Sequence, residues 1–154
     1  MRLRNHTDIP DDLVRDIIRA VRPAGIGGFD VRISNHAGKG GAGRAYTRGS
    51  AYHDTADPFL VVRIARTDAN ARYITRVRGA YLPMAIGSRL ECLVVILAHE
   101  LRHLWQSNCG HFSTRRGMVY GSRGRMSERD ADAYALQMLR RYRRMELLAE
   151  GGKS

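Results

Sequence analysis

The chain has 154 residues, the length of one ordinary domain, and can bury a core of its own without disulfide cross-links. Its two cysteines, Cys92 and Cys109, form no CxxC pair, which argues against a zinc ribbon or a disulfide framework. The longest apolar run, Cys92 to Ala98, is too short to span a bilayer, so we expect one cytoplasmic domain, residues 1–154, without a membrane partner.

The chain is strongly basic, with a formal net charge of +11 at pH 7. Such a charge suggests nucleic acid or another polyanion as a partner. However, arginines recur in every segment instead of forming one basic stripe, and their densest cluster is Arg140, Arg141, Arg143 and Arg144. The net charge therefore allows a nucleic-acid partner, but the distribution along the sequence does not favour one.

The first predicted element is a helix that Thr7 or Asp8 caps, with Pro10 in its first turn. Its apolar face consists of Leu13, Ile17, Ile18 and Val21. Alternating apolar residues then predict a half-buried strand over Phe29 to Ser34. A glycine-rich stretch, residues 37–49, is expected to be a long mobile loop.

Two further strands are predicted before the first long helix. Phe59 to Ala65 is apolar on both faces except at Arg63, which is typical of a central strand. Arg72 to Arg78 alternates between apolar or hydroxyl side chains and mostly basic ones, which favours a strand near the edge of the sheet.

Two long helices follow. Ser88 and Glu91 have the spacing of a capping box, and the apolar positions after them predict a buried helix over residues 88–107. Beyond a Gly- and Arg-rich connection, Ser127 is expected to cap a second long helix over residues 127–149.

The first of these helices contains the sequence His99-Glu100-Leu101-Arg102-His103, an HExxH arrangement. Two histidines four residues apart project from one helix face, so both imidazoles can bind one zinc ion. The adjacent Glu100 is then the expected catalytic base, which takes a proton from the water at the open coordination position. By composition alone this five-residue pattern is expected in fewer than about one chain in a hundred.

A catalytic zinc site normally has a third protein ligand, which must come from downstream. Glu128 and Asp132 lie four residues apart at the start of the last helix and share one face. Asp130 points about 200° away from Glu128 on that helix and is an alternative ligand. His111, in the connection between the helices, is a further alternative.

HExxH followed by the ExxAD sequence at Glu128 to Asp132 resembles the gluzincin metallopeptidases, and in its small size the chain is similar to the minigluzincins. The resemblance covers roughly residues 88–140. It implies that Glu128 is the third zinc ligand and that Asp132 accepts a hydrogen bond from a ligand imidazole, that of His99. The metzincin pattern fits less well because its third histidine would fall on Cys109.

Together these features predict an α+β, zincin-like single domain, in which a small twisted sheet packs on the HExxH helix and the third-ligand helix. The expected function is zinc-dependent hydrolysis of peptide bonds, with one Zn²⁺ per chain. Acidic peptides would be preferred if the arginines of residues 72–78 line the cleft. The side chains able to stabilise the oxyanion are His111, Tyr120, Arg123 and Tyr134. The alternative is a regulatory or nucleic-acid-associated zinc-binding protein with the same fold.

Overall fold

The computed structural model describes residues 1–47, 55–71, 85–108 and 125–151. This part of the chain contains three α-helices and four strands, which form one sheet, so the α+β class is confirmed. The elements are β1 (Leu3–His6), α1 (Asp11–Val21), β2 (Asp30–Asn35), β3 (Gly41–Tyr46), β4 (Phe59–Ile64), α2 (Arg89–Asn108) and α3 (Arg125–Gly151). None of the described helices is both long enough and apolar enough to cross a membrane.

The strand order in the sheet is β1-β2-β4-β3. β1, β2 and β4 are parallel, whereas β3 runs antiparallel to β4 at one edge. β4 therefore lies inside the sheet, as its apolar sequence predicted. Val31 and Ile33 of β2 lie opposite Leu60 and Val62 of β4, and all four side chains are fully buried. These residues form the sheet side of the core.

The prediction of a mobile loop over the glycine-rich stretch was wrong in part, because residues 41–46 form strand β3. Gly41 and Gly43 lie opposite Ile64 and Val62 of β4 and face helix α2. A Cβ atom built on Gly41 would lie 2.6 Å from Cδ1 of Ile96 in that helix. The glycines therefore allow a strand backbone to approach α2 closely, a packing role that composition alone does not reveal.

The N-terminal region also differs in part from the prediction. Strand β1 was not expected, since its four residues carry only one apolar side chain. In α1 the N-cap residue is Pro10, without a side-chain cap, and Asp8 instead pairs with Arg89 at 2.7 Å. Ile17, Ile18 and Val21 are buried as predicted. The fourth buried residue of this face is Val14 and not Leu13, which is 36% exposed. The predicted strand Arg72 to Arg78 lies outside the described residues.

Helix α2 begins and ends within one residue of its predicted bounds. The hydroxyl of Ser88 accepts a hydrogen bond from the backbone amide of Glu91 at 3.1 Å, as a capping box requires. The Glu91 carboxylate does not return to the cap residue but accepts from the amide of Gly87 and pairs with Arg143 of α3. Helix α3 begins at Arg125, so Ser127 is a buried residue inside the helix and not its cap.

Candidate metal centre

Helices α2 and α3 bring three buried side chains together. His99 and His103 are four residues apart on α2 and project from the same face, and Glu128 lies in the first turns of α3 beside them. The Nε2 atoms of the two histidines are 3.0 Å apart. The Glu128 carboxylate lies 3.1 Å from Nε2 of His99 and 3.4 Å from Nε2 of His103. These three side chains lie close enough together to bind one metal ion.

The hydrogen bond between His99 and Asp132 determines which ring nitrogen of His99 faces the cluster as an acceptor. Nδ1 of His99 lies 2.8 Å from Oδ1 of Asp132, a carboxylate that is fully buried. Because an ionised carboxylate only accepts hydrogen bonds, Nδ1 of His99 carries the proton and donates a hydrogen bond to Asp132. In the neutral ring, Nε2 then presents a lone pair toward Glu128 and His103.

His103 is oriented in the same sense by a neutral side chain. Its Nδ1 lies 2.8 Å from Oε1 of Gln106. The amide nitrogen of Gln106 donates to the carbonyl oxygen of Ser127 and to Asp130, both at 2.9 Å, so the amide oxygen must be the atom that faces His103. Nδ1 of His103 is thus the donor, and its Nε2 also presents a lone pair to the cluster.

Two imidazole lone pairs and one carboxylate therefore converge within about a hydrogen-bond length of one another. Such a set of acceptors is mutually repulsive unless a cation lies among them. Nitrogen and carboxylate donors at these separations fit a divalent transition-metal ion, which makes the cluster a candidate metal centre.

A proton can take the place of that cation. Burial opposes the charged form of His99, but hydrogen bonds to Asp132 and Glu128 outweigh it and raise the pKa of His99 to about 10. Burial likewise opposes charge on Glu128, but hydrogen bonds from His103 and His99 lower the pKa of Glu128 to about 2. The site is therefore built to stabilise positive charge between these side chains.

Glu100, the expected base, is buried next to this cluster and below strand β3. Burial raises the pKa of its carboxyl group, while the charges of His99 and His103 and the backbone amide of Ala45 act in the opposite direction. A carboxylate with a raised pKa is better suited to accept a proton near neutral pH.

The structure places the other site residues away from a ligand position or outside the described part. Asp130, the alternative carboxylate ligand, accepts two hydrogen bonds from Arg102, at 2.7 and 3.0 Å, and one from Gln106. Tyr134 donates its hydroxyl to the carbonyl oxygen of Val21 at 2.8 Å, so this hydroxyl is already engaged at the end of α1. The remaining three, His111, Tyr120 and Arg123, lie outside the described residues.

Sequence reasoning missed three residues that shape the site. Gln106 was not singled out because a neutral amide three residues after His103 carries no charge signal, although the helical spacing could have revealed it. Arg102 lies within the HExxH motif, and its guanidinium carbon lies 3.8 Å from the centre of the Trp105 ring. The same guanidinium forms an ion pair with Asp130. Gly43 was assigned to a loop, although it lies directly against Glu100.

No protein family, curated protein or solved structure matches the chain.

Proposed function

We propose that this chain is a zinc-dependent peptidase of the zincin type, in which His99, His103 and Glu128 hold the metal and Glu100 is the general base. The observation that carries the proposal is the convergence of three buried acceptor atoms from an HExxH helix and a following helix. The fixed orientation of both imidazoles supports it, because a metal-binding histidine usually donates its other ring nitrogen to such a partner.

Zinc fits this set of ligands. Two ligand atoms held at about 2.0–2.1 Å in a tetrahedral zinc site are about 3.3 Å apart. The three separations in the cluster, 3.0, 3.1 and 3.4 Å, are close to that value. Three protein ligands leave a fourth position open, as catalytic zinc sites do.

A zinc ion in this position would act as a Lewis acid that polarises a peptide carbonyl and makes a water molecule more acidic. Glu100 would accept the proton of that water and pass it to the departing amine. Its burial favours this role, because a carboxyl group with a raised pKa holds the transferred proton better than a solvated one.

The arrangement of strand and helix supports a peptide substrate. β3 is an edge of the sheet in the part of the chain that the structure describes, and it lies over the turn of α2 that carries Glu100. An extended peptide can add to such an edge through main-chain hydrogen bonds, as in the zincins that the motif resembles. The predicted edge strand over residues 72–78 lies outside the described part of the chain, so that strand and the preference for acidic peptides that depends on its arginines both remain predictions.

Metal analysis combined with a Glu100→Gln variant tests the proposal. The purified chain should contain one zinc ion and hydrolyse unstructured peptides, and Glu100→Gln should keep the zinc but lose hydrolysis, because an amide cannot accept the proton. Glu150→Gln, an exposed change on α3, is the matched control and should retain activity. Full activity of Glu100→Gln, or a wild-type chain without bound metal, would contradict the proposal.

A further inference from the structure

The face of the sheet turned away from helix α2 is rich in arginine. Leu60, Val62 and Ile64 of β4 face the core, so Phe59, Val61 and Arg63 face the other side. The strand register places one arginine of each remaining strand on this same side. The four arginines of this basic sheet face are Arg4, Arg32, Arg44 and Arg63, and all four are exposed.

Three of these arginines form a row across the strands. Arg4 of β1 lies opposite Arg32 of β2, and both Arg32 and Arg44 of β3 lie opposite Val61 of β4. Neighbouring strands are about 4.8 Å apart, so the row spans about 15 Å at right angles to the strands. Among the described acidic residues none forms an ion pair with Arg4, Arg32, Arg44 or Arg63.

Aromatic rings lie beside this row. Tyr46 and Phe59 are stacked at the next position along β3 and β4, with ring centroids 4.2 Å apart and planes 9° from parallel. The guanidinium of Arg32 lies 4.7 Å above the centre of the Phe59 ring. On the four described strands, Asp30 is the one acidic residue of this face, and it accepts a hydrogen bond from the backbone amide of Arg2.

We propose that the basic sheet face binds single-stranded nucleic acid. Arginines in a row that pair with no described carboxylate match the repeated charge of a phosphate backbone. The aromatic side chains beside that row add apolar surface against which bases can pack. An acidic protein segment would meet the same charges but would not use the aromatic pair. This surface is separate from the metal centre, because Gly41 and Gly43 of β3 face α2 while Arg44 and Tyr46 face the opposite way.

The test is fluorescence anisotropy of a labelled oligothymidylate with the full chain at increasing salt. The triple variant Arg4→Gln, Arg32→Gln, Arg44→Gln should weaken binding more than tenfold at low salt. It should also reduce the slope of log Kd against log salt by about 2, since each phosphate contact on a single strand contributes about 0.7. The matched control is Arg140→Gln, Arg141→Gln, Arg144→Gln, which removes the same charge from exposed positions of α3. The control should lose far less affinity.

Equal losses in the two triple variants would show that only net charge matters and would overturn the proposal. Polyglutamate that competes as well as the oligonucleotide would overturn it in favour of an acidic protein partner. If the triple variant does not fold, Arg32→Gln alone should still lower the affinity and the salt slope, and unchanged binding would count against the site. Removal of metal with a chelator should leave binding unchanged, so this result is independent of the proposed peptidase.

Discussion

The backbone of Gly43 lies so close to the side chain of Glu100 that a Cβ atom built on it would be 2.6 Å from both Cγ and Oε1 of Glu100. The same atom would be 2.6 Å from Cγ2 of Ile96, so the conflict is with two successive turns of α2. Real Cβ atoms essentially never approach other heavy atoms this closely, which means that any side chain at position 43 must displace both Glu100 and Ile96, or the strand itself.

We therefore predict that Gly43→Ala lowers kcat/KM for peptide hydrolysis by about 100-fold while the zinc content stays at one per chain. A shift of about 1 Å in a catalytic group costs that much, and the metal ligands lie on α2 and α3, not on β3. Gly28→Ala is the control, since a Cβ atom built there meets nothing within 4 Å. Equal activity of the two variants would mean that Glu100 tolerates displacement.

What the sequence predicts well is what depends on local spacing. The capping pattern at Ser88 and the helical repeat that follows depend only on neighbouring residues, and both features are present in α2. The separation of His99 and His103 by four residues likewise places both rings on one face without any tertiary information. Glu128 could be proposed only through the resemblance and the helix geometry, because its approach depends on how α3 packs.

The errors arise where tertiary contacts override local preference. Glycine is unfavourable in strands by propensity, but β3 needs Gly41 and Gly43 because α2 lies against them. The basic sheet face is likewise invisible in the sequence, where Arg4, Arg32 and Arg44 are far apart and only strand pairing brings them into one row. Counting arginines along the chain therefore gave no sign of this clustering.

Gln106 is expected to act on the metal through His103. Its amide oxygen accepts from Nδ1 of His103 while its nitrogen is held by the carbonyl oxygen of Ser127 and by Asp130. We predict that Gln106→Met weakens zinc affinity by roughly 10–100-fold, the usual cost of losing the partner of a ligand histidine. Competition with a chromophoric chelator measures this affinity.

The exposed Gln137 on α3 provides the control for this measurement, because Gln137→Met makes the same chemical change away from the site. A Gln106→Met variant that melts at a lower temperature but binds zinc as tightly as wild type would show that Gln106 only supports the packing of α2 on α3.

The contact between Glu91 and Arg143 should contribute to stability but not to metal binding. The Glu91 carboxylate accepts hydrogen bonds from Arg143 at 2.7 and 2.8 Å and from the amide of Gly87 at 2.6 Å, and the Arg143 bonds in particular lower the pKa of Glu91. Replacing the Glu91 carboxylate with an amide weakens these charge-assisted hydrogen bonds, so Glu91→Gln should lower the free energy of unfolding by about 1–3 kcal/mol. Urea unfolding of the zinc-loaded chain measures this, with Glu150→Gln as the exposed control. A loss of zinc affinity in Glu91→Gln would contradict the prediction that this contact contributes to stability alone.

The last prediction concerns the pH dependence of the metal-free protein. Burial opposes charge on both groups, but hydrogen bonds to Asp132 and Glu128 raise the pKa of His99 from 6.5 to about 10, and those from His103 and His99 lower the pKa of Glu128 from 4.5 to about 2. A raised histidine pKa stabilises the folded state fully below 6.5, and that stability is lost as the pH rises toward about 10. The lowered carboxyl pKa stabilises the folded state above 4.5, and that stability is lost as the pH falls toward about 2.

The joint contribution of His99 and Glu128 is therefore greatest between pH 4.5 and 6.5. We predict that the metal-free wild type is more stable than His99→Gln in this window and that the difference shrinks steadily toward about pH 10, because glutamine does not titrate. Urea unfolding of both chelator-treated proteins across the pH range measures the difference directly. Zinc should restore the stability of the wild type at high pH, since the ion replaces the proton that His99 loses. A difference between the two proteins that stays constant with pH would mean that His99 keeps the same charge when folded and unfolded.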